Sequence, residues 1–242
     1  RLRRCRGPRR VLMAIDQLKT VGELAAQSLA ATRVFEDYGI DFCCGGSKPF
    51  ETACREKHLD PRVVLGEIEA AVQQSDSADR RDWPNEPLEA LIAYILDRHH
   101  TYLRAELPRI ESWLAAVRKA HGERDGALLA ELDSTFTAMK DELEAHMRKE
   151  EMVLFPAMRR SEGWIGQPIA VMEHEHDSAG RALTEMRRIT GGYRVPEHAC
   201  ATYRALYSGL QELETDLHLH IHLENNILFP RAMAETSRSR GC

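Results

Sequence analysis

The chain has 242 residues, 43% of them hydrophobic, and its 33 basic and 38 acidic residues give a net charge of −5. A chain of this length can bury a full core, and it has no apolar run near the roughly 18 residues that a membrane span requires. Its weakly acidic balance argues against a general nucleic-acid-binding protein. Its six cysteines do not resemble the disulfide framework of a secreted protein, which indicates a reducing compartment, the cytoplasm.

The N-terminal part of the chain divides into a leader and a small domain. Residues 1–12 are rich in arginine and contain no long apolar stretch, so they are expected to be a disordered leader and not a secretory signal. Residues 13–74 are expected to form a small helical domain. Thr20 and Glu23 have the spacing of a capping box, which predicts a helix that starts there and ends before Gly39.

Two further helices are predicted in this small domain. A short one covers about residues 50–58, and a longer one starts at Asp60-Pro61 and reaches Gln74. The segment that follows, residues 75–87, is polar and aperiodic and contains proline. It is therefore predicted to be a linker to the rest of the chain.

Two adjacent cysteines, Cys43 and Cys44, lie in the segment DYGIDFCCGG of the small domain. Neighbouring cysteines joined by a trans peptide do not form an unstrained disulfide. They are better suited to binding metal, accepting a transferred species or exchanging with the thiols of a partner. The alternative is that both pack as small hydrophobic side chains. Cys54 and Cys200 are expected to be structural.

A motif of the form H-x3-E-x3-LFP occurs twice, as HMRKEEMVLFP at 146–156 and as HIHLENNILFP at 220–230. Residues four apart on a helix point in nearly the same direction, so each copy can present a histidine and a glutamate to one metal ion. A single pair of this kind is most often an exposed ion pair on a helix surface. Its repetition favours metal binding.

Both copies lie within a heptad pattern of apolar residues, which places their polar pairs inside the face that a helical bundle buries. A buried polar group without a partner costs about 2–7 kcal/mol, so these groups need a partner, and a metal ion would serve. The first pattern consists of Leu129, Leu132, Phe136, Met139, Leu143, His146, Glu150 and Val153. The second consists of Leu206, Leu210, Leu213, Leu217, His220, Glu224 and Ile227.

Two more segments carry one histidine each in the same kind of apolar pattern. One contains Leu96, His100, Leu103, Leu107, Ile110, Leu114 and Val117, and the other contains Ile169, Met172, His176, Ala179, Leu183 and Met186. The candidate metal ligands are therefore His100, His146, Glu150, His176, His220 and Glu224. Four other histidines fall outside the patterns and are expected in flanking or solvent-facing positions: His99, His174, His218 and His222.

The spacing of these candidates predicts an up-down-up-down four-helix bundle over residues 88–234, followed by a flexible tail, 235–242. Segments that contain glycine or proline lie midway between successive candidates, at 121–126, 161–168 and 191–198, as the loops of a bundle would. All six groups would then lie at one level of the bundle. Similar intervals within the two helix pairs also predict an internal duplication, with a pseudo-twofold axis through the site.

Four imidazoles and two carboxylates exceed the ligands of one tetrahedral zinc ion, and they differ from the oxygen ligands of calcium or magnesium. Two iron ions fit better, each bound by two histidines and both bridged by Glu150 and Glu224. Such a centre leaves positions for an oxo or hydroxo bridge and for a small ligand. Manganese or a mixed iron-manganese pair is chemically allowed.

The segments HMRKEEMVLFP, VMEHEHDSAG and HIHLENNILFPRA resemble the hemerythrin-like domain of the iron-sulfur cluster repair di-iron proteins, and DYGIDFCCGG resembles the short N-terminal domain of that family. The resemblance extends over about residues 20–234. It implies an all-α hemerythrin-like fold, the same six ligands, and a role for Cys43 and Cys44 in redox chemistry or iron transfer. Oxygen-carrying hemerythrins are more distant, because they have a further histidine where this chain has Gly180.

The resemblance implies repair of iron-sulfur clusters damaged by nitric oxide or oxidants, by donation of iron from the di-iron centre. Damaged iron-sulfur proteins would then be the partners and nitric oxide or oxygen the small ligands, and a homodimer is left open. Two other functions are considered. The protein would be an enzyme that reduces nitric oxide, or a sensor or carrier that binds oxygen or nitric oxide. The vicinal cysteines favour repair, because neither gas function obviously needs them.

Overall fold

The computed structural model describes residues 19–74 and 81–239, which form α-helices, π-helical turns and connecting loops. Within these two ranges the predicted all-α fold is confirmed, with a small helical region followed by a bundle of long helices. The predicted leader, most of the predicted linker (75–80) and residues 240–242 lie outside the described residues. Among the described helices, none combines the length and the apolar character needed to cross a membrane.

The N-terminal region contains α1 (Val21–Gln27), α2 (Leu29–Asp37), α3 (Phe50–Glu56) and α4 (Pro61–Gln74). The predicted capping box is present, because the side chains of Thr20 and Glu23 each accept a hydrogen bond from the other residue's backbone N–H. The single helix predicted from there to Gly39 is wrong. Ser28 has an extended backbone that ends α1, and its hydroxyl caps α2 by accepting from Ala30 N–H. A serine hydroxyl competes with helical hydrogen bonds in this way.

Three aromatic rings fill the centre of the N-terminal region. The ring of Phe35 lies 6.3 Å from that of Phe42 and 6.2 Å from that of Phe50. Cys54 packs beside them and is fully buried, as expected for a structural cysteine. These residues belong to the same continuous hydrophobic cluster as the apolar residues of the bundle. The N-terminal region is therefore joined to the bundle through a shared core.

The bundle has four arms. The first arm comprises α5 (Leu88–Tyr94), a π-helical turn (Ile95–His100) and the beginning of α6 (Thr101–Lys149). The second arm comprises the rest of α6, a π-helical turn (Glu150–Leu154) and α7 (Phe155–Arg159). The third arm is α8 (Gly166–Ile189). The fourth arm comprises α9 (Ala201–Leu223), a π-helical turn (Glu224–Leu228) and α10 (Phe229–Ser239).

The chain reverses direction within α6, at Asp125, whose backbone angles (φ −113°, ψ 18°) are not helical. Lys140 Nζ lies 3.4 Å from Glu111 Oε1. On a straight helix these residues would be about 44 Å apart, so the first and second arms run antiparallel. The predicted loop at 121–126 is therefore confirmed as the point of reversal. The other two predicted loops, 161–168 and 191–198, overlap the breaks on either side of α8.

The π-helical turns shift the register of the apolar pattern. Val153 is the last member of the first predicted pattern, but it is 47% exposed, whereas the next residue, Leu154, is 1% exposed. A π-helical turn adds a residue to one turn of the helix, which rotates the following residues around the axis. The prediction for Val153 is wrong for this reason. The remaining members of that pattern are buried.

The bundle extends beyond both of its predicted limits. Trp83 lies in the segment predicted as linker but is only 1% exposed, and Arg231 donates hydrogen bonds to the carbonyl oxygens of Trp83 and Glu86 at 2.7 and 2.6 Å. At the other end, α10 continues to Ser239, and Thr236 is buried. A flexible tail from residue 235 is therefore wrong for the described part of that segment.

Candidate metal centre

Six buried side chains converge at one level of the bundle, as their spacing predicts. They are His100, His146, Glu150, His176, His220 and Glu224, none more than 2% exposed. Their potential ligand atoms form two groups, within each of which all atoms lie within 4.8 Å of one another. One group contains His100 and His220, and the other contains His146 and His176. Both groups contain Glu150 and Glu224, so the two carboxylates are shared.

One aromatic contact recurs in both halves of the centre. The ring of His100 lies against Phe155 with a centroid distance of 5.9 Å, and the ring of His176 lies against Phe229 at the same distance. Phe155 and Phe229 are the phenylalanines of the two LFP motifs, and each follows a π-helical turn. This correspondence supports the predicted internal duplication with a pseudo-twofold axis through the site.

Hydrogen bonds to outer residues orient three of the four imidazoles. His100 Nδ1 lies 2.7 Å from Glu151 Oε1, His176 Nδ1 lies 2.7 Å from Asn225 Oδ1, and His146 Nδ1 lies 2.9 Å from Glu175 Oε2. The partners are acceptors, so each Nδ1 donates its hydrogen. The lone pair of each Nε2 is then available to the centre, as in histidines that bind metal ions.

The centre brings donor atoms together with no protein group between them. His146 Nε2 and His176 Nε2 are 3.1 Å apart. His100 Nε2 and His146 Nε2 lie 3.3 and 3.4 Å from the same carboxylate oxygen of Glu150, in the buried interior of the bundle. When the imidazoles are neutral, as metal ligands are, their lone pairs and those of the carboxylates point at one another, which is costly in a buried site. A cation between them satisfies these atoms, so the donors present fit a metal ion.

The carboxylates of the centre stay ionised in spite of their burial. Burial raises the pKa of Glu224, but His220 and His176 hold it well below its usual range. Burial and the charge of Glu224 raise the pKa of Glu150, yet His146 outweighs them and the net shift is downward. Burial lowers the pKa of His146, but Glu150 raises it to about 9. The centre therefore offers two negative charges to a positive ion.

The four histidines outside the apolar patterns belong to neither of the two groups. His99 and His222 are fully buried, so a solvent-facing position is wrong for these two. His99 Nδ1 lies 3.1 Å from Asp216 Oδ1, and His222 Nδ1 lies 3.3 Å from the carbonyl oxygen of Phe42. Their burial depends on the adjacent arm and on the N-terminal region, which the pattern of one helix does not reveal. His174 is exposed and His218 is partly exposed.

Comparison with known proteins assigns this centre to a family. A model described as the Hemerythrin HHE cation binding domain matches residues 91–232, more than half of the chain. The chain belongs to the hemerythrin family. A second model, described as a domain of unknown function (DUF542), matches residues 17–72. The resemblance noted from the sequence and the hemerythrin-like fold are thereby confirmed, and the buried His/Glu centre fits the metal site of such a domain.

Several bacterial proteins named iron-sulfur cluster repair protein YtfE are similar to almost the whole chain. The protein of Pectobacterium atrosepticum is 42% identical over 89% of this chain and 96% of the relative. The protein of Edwardsiella ictaluri is 41% identical over 90% of this chain and 97% of the relative. The protein of Yersinia pestis is 40% identical over 89% and 96%. Within the hemerythrin family, this chain belongs with these proteins.

The vicinal cysteines lie next to the hemerythrin-like centre. Cys44 Sγ is 3.7 Å from the carbonyl oxygen of His176, and the two sulfur atoms are 3.9 Å apart, so they are free thiols. Asp41 accepts hydrogen bonds from the backbone N–H groups of Cys43 and Cys44 at 3.1 and 3.0 Å. A hydrogen bond with Cys44, together with burial, raises the pKa of Cys43 well above its usual range. Cys44 is partly exposed.

The fourth arm holds the cysteine loop in place. The side-chain amide of Asn226 donates to the carbonyl oxygens of Phe42 and Cys43, both at 3.1 Å. Asn226 follows the shared glutamate Glu224 by two residues, so one short segment contacts both the candidate metal centre and the loop. A Cβ atom at Gly46 would lie 2.2 Å from Asn226 Oδ1, so glycine is needed for this close approach. The position of the thiols is thus fixed relative to the centre.

Gly180 explains how this centre departs from that of the oxygen carriers. It lies one helical turn beyond His176, and a Cβ atom there would be 3.5 Å from Cys44 Sγ. The loop with the cysteines therefore covers the place where a larger side chain at residue 180 would stand. A cleft of about 900 Å³ opens here between the N-terminal region and the bundle, and both Cys43 and Cys44 line it.

We expect the apolar pattern to distinguish ligand from non-ligand histidines on the third arm. His176→Ala should lower the iron content of the purified protein, because His176 belongs to one of the two groups. His174→Ala should leave the iron content unchanged, because His174 is exposed on the same helix. Elemental analysis of the two variants, purified in parallel, measures this. Equal loss of iron in both would contradict the assignment.

His222 should make the attachment of the N-terminal region sensitive to acid. Burial lowers its pKa to about 4, below the value near 6.5 expected in the unfolded chain. The unfolded state therefore binds the proton first, and stability of about 3 kcal/mol is lost as the pH falls from about 6.5 to about 4. His222→Gln should remove this part of the pH dependence. Urea unfolding of both iron-free proteins between these pH values measures it, because the titration of the ligand histidines is common to both.

Proposed function

We propose that this protein repairs iron-sulfur clusters damaged by nitrosative or oxidative stress, and that it does so by donating iron. The names of its YtfE relatives support the repair function. The observation that carries the donation step is the position of the thiols, with Cys44 Sγ 3.7 Å from the backbone of the ligand residue His176 and on the wall of an open cleft. Thiolates are good ligands for iron, so the pair is placed to accept it.

The metal centre is proposed to hold two iron ions. His100 and His220 would bind one ion, His146 and His176 would bind the other, and the two shared glutamates would bridge them. The grouping of the donor atoms supports this assignment, because both groups include both carboxylates. When bound, the iron supplies a redox-active cation with room for a small ligand. A cavity of about 10 Å³ beside His146 and His176 is near the lower limit of the space needed to hold one water molecule.

The protein groups have distinct tasks in this proposal. Glu151, Asn225 and Glu175 keep three imidazoles oriented toward the iron. The apolar side chains around the centre keep bulk water away from it. Cys43 and Cys44 would receive iron at the edge of the centre and pass it to a damaged iron-sulfur protein that docks over the cleft.

The test is a transfer experiment with labelled iron. Protein loaded with isotopically labelled iron is mixed with an iron-sulfur dehydratase whose cluster has been damaged by nitric oxide. We expect the dehydratase to regain activity and to contain the label after the two proteins are separated. Recovery of activity without the label would contradict donation. Catalytic consumption of nitric oxide without any recovery would instead establish the gas-reducing function.

A further inference from the structure

A second cluster of metal-binding side chains lies far from the iron centre. His121 and Asp125 stand at the reversal between the first and second arms, and His198 stands in the loop between the third and fourth arms. The helical rise from His100 in the iron centre to His121 is about 30 Å. The cluster is therefore at the opposite end of the first arm and is separate from the iron centre.

The geometry of this cluster is that of a metal site. One ligand atom from each of His121, Asp125 and His198 lies within 4.8 Å of the other two. His198 Nε2 is 2.7 Å from Asp125 Oδ2, and the rings of His121 and His198 are 5.8 Å apart. Asp125 follows His121 by four residues and ends the first arm, so both side chains can reach one ion. All three side chains are partly exposed, so an ion can reach them from solvent.

A salt bridge between Asp125 and His198 does not account for the whole cluster. It does not involve the second imidazole, that of His121. Tyr203 also lies here, with its ring 5.2 Å from that of His121 and 6.4 Å from that of His198. Tyr203 is fully buried, and its hydroxyl interacts with the side chains of Tyr207 and Asp125. A phenol at this position can donate to a water molecule or carboxylate bound to a metal ion.

Cys200 adds a further donor beside the cluster. The sequence predicts a structural role for it, but this is wrong, because Cys200 is exposed. Its side chain interacts with His121. The sulfur atom is outside the group of three mutually close atoms, so the site is complete as a three-ligand site without it.

We propose that His121, Asp125 and His198 bind a zinc ion that joins the two interhelical loops at this end of the bundle. Two imidazoles and one carboxylate are a common set of three zinc ligands, with a fourth position left for water. The same donors also occur in non-haem iron sites. Zinc is nevertheless favoured over Fe²⁺, because it binds nitrogen and oxygen ligands more tightly in the order of divalent metal affinities.

The test is a zinc titration of the iron-loaded protein, in which the iron centre is already filled. After unbound metal is removed with a weak chelator, we expect wild type to retain one zinc ion more than the His121 and His198 variants, while its iron content stays constant. His121→Gln and His198→Gln should weaken zinc binding by about tenfold or more. Glu123→Gln is the matched control, because Glu123 is exposed on the same turn and outside the cluster.

Two results would overturn this proposal. One is wild-type protein that retains no zinc, and the other is a folded His198→Gln variant that retains as much zinc as wild type. Circular dichroism and iron content report whether each variant is folded. If a variant is unfolded, X-ray absorption at the zinc edge of the wild-type protein decides instead, because it must show scattering from two imidazoles.

Discussion

Replacement of both shared glutamates, as Glu150→Gln with Glu224→Gln, is expected to abolish iron binding. Each carboxylate belongs to both groups of donor atoms, so the double variant removes both negative charges from both metal positions. Loss of an outer hydrogen-bond partner alone typically costs about 10–100-fold in metal affinity, and loss of two shared ligands should cost more than that. The measurement is iron content and the visible absorption of the purified protein.

Two further variants serve as an intermediate case and as a control for this result. Glu151→Gln weakens the acceptor of the His100 hydrogen bond without changing a ligand, so about 10–100-fold weaker iron binding is expected. Glu144→Gln lies on the same arm, outside both groups, and should bind iron like wild type. Glutamine preserves the size of each side chain, so circular dichroism should show the same helix content throughout. Iron retained at the wild-type level by the double variant would refute the assignment of the shared ligands.

The second large effect is expected at the vicinal cysteines. Cys43→Ser with Cys44→Ser should leave the iron content and absorption intact, because none of the six proposed ligands is changed. Repair of a damaged iron-sulfur enzyme should nevertheless fall to the level seen without the protein. Serine keeps the size of the side chain but is a much poorer ligand for iron and does not undergo thiol exchange. Repair is measured at equal iron loading.

The control for this experiment is Cys200→Ser, which removes an exposed thiol at the other end of the bundle. It should repair like wild type. Melting curves of the variants show whether a loss of repair comes from the missing thiols or from a less stable N-terminal region. This check is needed because Cys43 is only 5% exposed, so its replacement changes a buried position. If the Cys43 and Cys44 double variant repairs as well as wild type, the thiols take no part in delivery.

The six candidate ligands could be found from the sequence because each one interrupts an apolar pattern. A histidine or glutamate at a position that the pattern marks as buried needs a partner, and four such helices at matched spacing identify a common partner. The residues that hydrogen-bond to the ligand histidines were not found in this way. Glu175 and Asn225 each contact a histidine on a neighbouring arm, and the pattern of one helix does not reveal such contacts. One signal was available. Glu151 and Asn225 each directly follow the glutamate of a repeated motif, and both are polar.

The other wrong predictions, at Ser28, Val153 and Trp83, concern features that the apolar pattern does not contain. The break at Ser28 depends on one hydroxyl that caps the following helix, and the apolar pattern continues across it. The burial of Leu154 in place of Val153 depends on a π-helical turn, which no pattern based on 3.6 residues per turn includes. The burial of Trp83 depends on packing against residues that are distant in the sequence, among them Leu228 and Phe229 of the same hydrophobic cluster. Contacts of this kind are decided by the tertiary structure.

The candidate metal ligands are divided between the two halves of the bundle, and we expect this division to govern the order in which the protein is assembled. Each group of donor atoms takes two residues from the first two arms and two from the last two arms. Neither half alone therefore offers more than two donors to either ion. We expect iron to enter only after both halves have docked, so that maturation of the centre is the last event of folding. Loss of iron would then weaken the packing of the first two arms against the last two arms, while the helices within each half remain folded.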